Sequence, residues 1–224
     1  MFIGHFAVGL AAKRAAPRAS LGPLLAAPLL LDLLWPIFLL LGWERVRIEP
    51  GFTAFNPLVL EHYPWSHSLL MTLGWGALFG GLYAWRTGYR AGGLVIALGV
   101  VSHWVLDWVT HTPDLPLWPG AALRFGLGLW NSMTGTVVVE SLMFGAAVWL
   151  YATTTRATDR TGRYAFWGFV ALLAVMYPVS ILSPTPSDPT TLAAGALTGW
   201  LFPFWAAWCD RHRSVVGGAP PVAT

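Results

Sequence analysis

The chain has 224 residues, 56% of them hydrophobic and 10% charged, with a mean hydropathy of +0.59. A soluble domain carries roughly 25% charged residues, which excludes a protein whose only solvent is water. The formal charge of +3 and the pI near 9.4 do not point to nucleic acid, because the basic residues fall in short clusters between apolar runs, the pattern of topology signals.

In chain order, a short apolar helix near 2–15 carries His5 and is followed by Lys13, Arg14 and Arg18. A signal peptide has its positive charge before the apolar stretch, so none is expected here. Six spanning helices follow, near 20–42, 66–85, 91–109, 132–151, 164–182 and 190–208. Each is close to the ~20 residues needed to cross a bilayer. Barrel strands would be shorter and alternating, so the expected fold is an all-α, polytopic helical bundle in the membrane. It forms a single domain over 1–210, and the Gly- and Pro-containing tail 211–224 is expected to be disordered.

Lys13, Arg14 and Arg18, Arg86 and Arg90, Arg156, Arg160 and Arg163, and Arg211 and Arg213 all fall on one side of this arrangement. The positive-inside rule makes that side, with the C-terminus, cytoplasmic in a multi-pass inner-membrane protein. Loops 43–65 and 110–131 and the Pro-rich turn 183–189 then lie opposite. Trp43, Trp65, Trp85, Trp130 and Trp208 sit at span ends, where indole favours the interface. Gly76 and Gly80 form a small-xxx-small pair suited to helix packing. The single Cys209 excludes an intrachain disulfide and a thiolate metal site.

The spans contain three carboxylates, Asp32, Asp107 and Glu140, and five of the six His residues lie in spans or on the non-cytoplasmic side: His5, His62, His67, His103 and His111. Ionisable groups at membrane depth cost a few kcal/mol each and face the bundle interior. His103 and Asp107 are four apart and share a helix face, and His111 extends the stripe as far as Pro113 allows. If the first helix and the first span turn near Arg18, His5 and Asp32 reach similar depth. Pro36 leaves the Asp32 carbonyl without its helical donor, an irregularity suited to a cavity wall. Imidazole with carboxylate suits zinc, and also manganese or iron, with magnesium a further option. Taken singly, His5 or His62 reads as an interfacial residue, Glu140 as a helix-association or proton-moving group, and Asp114 and Glu61 as loop residues. A shared site built from Asp32, His67, His103 and Asp107 is harder to reduce to separate packing roles.

At these residues the chain resembles the bacterial and archaeal membrane-bound, metal-dependent hydrolases, of which the LexA-regulated inner-membrane hydrolases are named members. The matching features are Gly4-His5, Asp32 with Pro36, the block His62-Tyr63-Pro64-Trp65-Ser66-His67-Ser68, Ser102-His103 with Asp107, Thr112-Pro113 and Leu117-Trp118-Pro119. Tyr63-Pro64 stands where the family has Arg-Gly, removing a possible phosphate-binding guanidinium. Leu34 and Trp35 replace a further Asp and His. The resemblance implies a metal-dependent hydrolase, with one metal, or a silent site, where the fuller motif could hold two.

The expected activity is therefore hydrolysis of a lipid-linked ester or phosphoester entering laterally from the membrane lipids. His67, His103 and Asp107 are the expected metal ligands, with His5, Asp32 and His62 completing or orienting the set. Asp107, His111 or Glu140 would accept the proton. Two rivals stay open: a proton- or cation-coupled transporter and a catalytically silent scaffold held by its metal.

Overall fold

The computed structural model describes residues 1–184 and 186–218. Helices α1 (Ile3–Ala15) and α2 (Leu21–Leu40) pack on one another, and the Ser20 hydroxyl accepts the Gly22 N–H to start α2. Gly9 permits the close approach, because a Cβ there would lie 2.8 Å from Leu25 Cα. The central element is α2, which runs through Pro28 and Pro36 and buries most of its length. It also packs on α5 (Arg90–Thr110), α8 (Pro189–Ala196) and α9 (Leu201–Arg211).

A hairpin of β1 (Arg45–Ile48) and β2 (Leu58–His62) leads to the single turn α3 (Pro64–His67), which begins on Pro64 and places His67 before the Ser68 cap of α4 (Leu69–Thr87). Proline suits this first helical position because its missing N–H would be unsatisfied there anyway. Helix α4 ends at Gly88, whose φ of 67° is the left-handed conformation that favours glycine. It packs closely on α5, since a Cβ at Gly76 would lie 3.0 Å from Ala97 O and one at Gly80 2.8 Å from Ala97 Cβ.

After α5 come the short hairpin of β3 (Leu115–Pro116) and β4 (Arg124–Phe125), then α6 (Met133–Thr154), β5 (Thr155–Ala157) and α7 (Arg160–Leu182). A 3-10 turn at Leu197–Trp200 joins α8 to α9. The final strand, β6 (Arg213–Val215), pairs antiparallel with β5. That pairing corrects the expectation of a disordered tail from 211. Arg213 donates to Thr155 and Gly162 and lies over the Tyr151 and Phe166 rings, contacts that composition alone does not disclose. Residues 219–224 lie outside the described residues.

Among the described residues, five helical stretches are long and apolar enough to cross a membrane: Leu21–Leu40, Arg90–Thr110, Met133–Thr154, Arg160–Leu182 and Pro189–Arg211. The other expected span forms α4 but is not among them, because four glycines, Trp75, Tyr83 and Arg86 lower its hydropathy. The burial pattern is that of a bundle in lipid. Leu78, Leu94, Leu98, Leu142, Trp149, Val175 and Phe204 are exposed, whereas His5, His103, Asp107 and Glu140 are buried. Trp43, Trp65, Trp85 and Trp208 are exposed, but Trp130 is buried and stacks on His111, with ring centroids 4.2 Å apart.

The basic clusters gather at one end of the bundle. Lys13 Nζ donates to Asp210 Oδ2 at 2.6 Å, Arg18 lies over the Tyr89 ring, and β5 meets β6. At the opposite end the two hairpins are tied to the helices by Phe55 N donating to Trp130 O and Leu70 N donating to Leu117 O.

Candidate metal centre

Four elements converge near the hairpin end: α1 with His5, α2 with Asp32, α3 with His67, and α5 with His103 and Asp107. The helical spacing of His103 and Asp107 brings His103 Nε2 to 2.9 Å from Asp107 Oδ2. His67 Nε2 lies 3.2 Å from His103 Nε2, 3.5 Å from Asp32 Oδ1 and 3.8 Å from Asp107 Oδ2. Asp32 Oδ1 is 3.7 Å from His103 Nε2. Two overlapping groups of ligand atoms result, Asp32–His67–His103 and His5–His103–Asp107.

The outer nitrogens of the imidazoles are held by hydrogen bonds that assign their tautomers. His103 Nδ1 faces the Pro28 carbonyl at 2.7 Å and must donate to it. The Ser66 hydroxyl donates to the Glu44 carboxylate at 2.7 Å, so at 2.6 Å it accepts from His67 Nδ1. Glu44 also accepts the Ser66 N–H at 2.8 Å. His111 Nδ1 lies 3.0 Å from Asp114 Oδ1 and donates to it, while the Tyr63 hydroxyl donates to the same carboxylate oxygen. Burial and the adjacent Asp114 push the Tyr63 phenol well above its ordinary pKa, which keeps it a donor at neutral pH.

Each of these three histidines therefore turns an Nε2 lone pair inward. Those of His67 and His103 point at each other and at carboxylate oxygens, and His111 Nε2 is 3.5 Å from Asp107 Oδ2. The Met1 ammonium supplies one positive charge at Asp107 Oδ1, and the inward lone pairs beside two carboxylates leave Oδ2 of Asp107 and Oδ1 of Asp32 open to a further cation. Ligands ~2.0–2.1 Å from a tetrahedral zinc lie about 3.3 Å from one another, and the five separations above run from 2.9 to 3.8 Å. The donor set thus fits a divalent cation.

His5 stacks on His103 with ring centroids 3.8 Å apart. Its Nε2 lies 3.1 Å from Asp107 Oδ1, which the Met1 amine also approaches to 2.6 Å. These contacts occupy Oδ1 and leave Oδ2 facing the cluster. His5 Nδ1 is buried without a partner among the described residues.

Two of the expected site residues lie elsewhere. His62 ends β2 opposite Arg45 and is in neither ligand group. Its neighbour Tyr63 is buried, and extended chain sends successive side chains to opposite sides. Glu140 is buried, but its Oε2 accepts from Phe2 N at 2.9 Å and Gly4 N at 3.0 Å, so the carboxylate caps the start of α1 from a distant helix. That is the N-terminal preference for negative charge, and it supports the placement of His5. Conversely, Asp114, read from sequence as a loop residue, and Glu44 both act on the histidines. The His111-x-x-Asp114 spacing is a local signal for the first. Glu44, 22 residues from Ser66, has none.

A cavity of about 910 Å³ lies over the cluster, lined at its base by Asp32, His67, Asp107 and His111 and above by the 50–58 loop and the end of α7. Its volume falls in the range of roughly 300–1,000 Å³ usual for ligand sites.

No curated protein and no solved structure matches this chain. The family model described as YdjM inner membrane protein matches residues 1–185, which takes in the whole cluster from His5 to His111 and its partners Glu44, Tyr63 and Asp114. The chain is thus a multi-pass inner-membrane protein and belongs to the YdjM inner membrane protein family.

Proposed function

We propose that this protein is a membrane-embedded, metal-dependent hydrolase that cleaves an ester of a lipid-linked substrate from the non-cytoplasmic side. The carrying observation is the convergence of inward-facing Nε2 lone pairs on the Asp32 and Asp107 carboxylates beneath a 910 Å³ cavity. His67, His103, Asp32 and Asp107 would hold the metal, with zinc best matched to the donors and His5 steadying Asp107. Bound there, a metal supplies Lewis acidity towards the scissile carbonyl and lowers the pKa of water.

The chain's own contribution is proton handling and exclusion of bulk water. As water attacks the ester carbonyl, His111 Nε2 takes its proton and the imidazolium is stabilised by Asp114. The C–O bond to the alcohol then breaks, and His111 returns the proton to the departing oxygen. Tyr63 and the stacked Trp130 fix the ring for this exchange. Among the described lining residues the ionised side chains are carboxylates, with neither Lys nor Arg present. With the Met1 amine engaged by Asp107 and the two carboxylates holding the metal, no side-chain cation is left among them to clamp a phosphate, and that favours a carboxylic ester over a phosphoester. Sidedness follows from the basic clusters, which gather at the end away from the cavity.

The test is metal analysis of the purified protein beside hydrolysis of p-nitrophenyl butyrate and bis(p-nitrophenyl) phosphate. The expected result is bound zinc and ester cleavage, both lost in His67→Ala and Asp107→Ala. Absence of metal with unaltered variants overturns the site. Bound metal with no cleavage of either probe makes it a silent scaffold, and phosphodiester cleavage alone reverses the substrate assignment.

A further inference from the structure

A second cavity, of about 260 Å³, adjoins the first and shares Phe2, Asp32 and Trp35 with it. Its walls are Phe2, Phe6, Leu29, Leu33, Met176 and Phe202, bordered on the remaining side by the 195–199 segment of α8 and its 3-10 turn. We propose that this slot holds one acyl chain of a bilayer glycerolipid, with the ester end of that lipid at Asp32 and His67. The placement of the ester rests on the hydrolase reading, whereas binding of the chain does not.

The chemistry of the walls selects the occupant. Apart from Asp32 and the Trp35 indole N–H at the junction, the one polar side chain among the described lining residues is Thr198, and its hydroxyl already donates to Gly195 O at 2.6 Å. Water needs two to four polar partners to settle in a cavity, so this slot favours hydrocarbon. Its volume lies below the roughly 300–1,000 Å³ of sites that take whole small molecules, and suits one chain better than a headgroup.

Position gives the route. Met176 is six residues from the end of α7, and Gly195 six residues into α8. Both therefore lie ~9 Å below the hairpin end at 1.5 Å per residue, well within one half of a ~30 Å hydrocarbon layer. Helix α7 packs on α9 while α8 packs on α2, leaving a seam between α7 and α8. The large cavity reaches the same seam through Ser180, Ile181 and Leu192. A Cβ at Gly195 would meet nothing within 4 Å, so that side of the seam is open. A lipid can thus keep its chain at bilayer depth while its ester reaches the cluster.

The full chain is reconstituted into vesicles of phosphatidylethanolamine and phosphatidylglycerol containing phosphatidylglycerol with a mid-chain diazirine. After irradiation, adducts are mapped by peptide mass spectrometry. Adducts at Leu33, Met176 and Phe202 in excess of those at the exposed Val175 and Leu142 are expected, and Gly195→Trp removes them while metal content stays at the wild-type level. Ala196→Phe serves where the tryptophan variant does not fold. Equal labelling of slot and exposed faces, or slot adducts undiminished in a metal-replete variant, overturns the proposal. Slot adducts obtained only with a diazirine-bearing polyprenyl phosphate overturn the acyl assignment. Slot adducts without ester hydrolysis would remove the enzyme and leave the chain site standing; hydrolysis of p-nitrophenyl butyrate without slot adducts would remove the chain site alone.

Discussion

The Nε2 atoms of His67 and His103 face each other at 3.2 Å, and as neutral rings neither can donate to the other. Their outer nitrogens carry the protons, one towards the Pro28 carbonyl and the other towards the Ser66 hydroxyl. Two lone pairs held together in this way beside Asp32 and Asp107 fit the divalent cation proposed for this site. Under that proposal, metal binding should stabilise the protein. At a zinc concentration 100 times Kd, linkage gives about 2.7 kcal/mol. Thermal unfolding in detergent should show Tm rising with zinc and falling with chelator, and His67→Ala should show neither change.

The Ser66–Glu44 pair sets the direction of the His67 ring. Partners of ligating histidines typically contribute about 10- to 100-fold to metal affinity. Ser66→Ala and Glu44→Gln should weaken zinc binding by about that factor, measured by competition with a chromophoric chelator. Affinity unchanged in both variants would show that the α3 turn alone holds the ring.

In the proposed mechanism Asp114 bears on proton transfer more than on metal binding, since it contacts Nδ1 of His111 and lies outside both ligand groups. Asp114→Asn should lower ester hydrolysis by about 10- to 100-fold with zinc content unchanged. His111→Ala should lower it by about 10²- to 10⁴-fold, the usual contribution of a positioned acid–base group. Equal loss of metal and rate in Asp114→Asn would place Asp114 in the metal-holding set instead.

At the far end, Lys13 and Asp210 form a buried pair, with Tyr151 OH donating to Asp210 at 2.8 Å and Leu21 N donating at 3.0 Å. Removing one member of a buried pair leaves an uncompensated charge and costs ~3–5 kcal/mol, whereas replacing both can be nearly neutral. Lys13→Met should lower thermal stability more than the double change Lys13→Met with Asp210→Leu. The reverse order would show that Asp210 acts mainly through Tyr151 and Leu21.

Asp188 begins α8 on one side of the cavity seam. The Thr191 N–H, the Thr191 hydroxyl and the Ser187 hydroxyl lower its carboxyl from 3.8 to about 2. A lowered folded-state value means that the cap contributes fully above the ordinary pKa and is lost as pH falls from about 4 towards about 2. Exchange of the Thr190 and Thr191 amides, corrected for intrinsic rate, should accelerate over that window in the wild type and stay flat in Asp188→Asn.

The helices were legible because lipid imposes a simple rule, that apolar runs of about 20 residues satisfy their backbone internally. The helix pairing of His103 with Asp107 was legible for a similar reason, since a four-residue interval fixes a shared face. The α1–α2 hairpin likewise brings His5 and Asp32 to the same imidazole, at His103. By contrast, His67 was expected as a ligand and His62 as a completing or orienting residue, and only the change from β2 to α3 between them sends His62 away and His67 inward.

Chain-local physics thus determined the membrane class, the helix positions, the placing of four basic clusters at one end, with Arg45, Arg47 and Arg124 at the other, and the gathering of carboxylates and imidazoles towards that other end. Tertiary structure decided which atoms of those residues carry protons. Glu44, Pro28 and Asp114 select the tautomers from positions 23, 75 and 3 residues away from their histidines. It also turned Glu140 from a candidate base into a cap for α1 and Trp130 from an interfacial residue into a stacking partner for His111. Hydropathy and helical period constrain depth and face, whereas the partner of a buried polar atom depends on how distant segments pack.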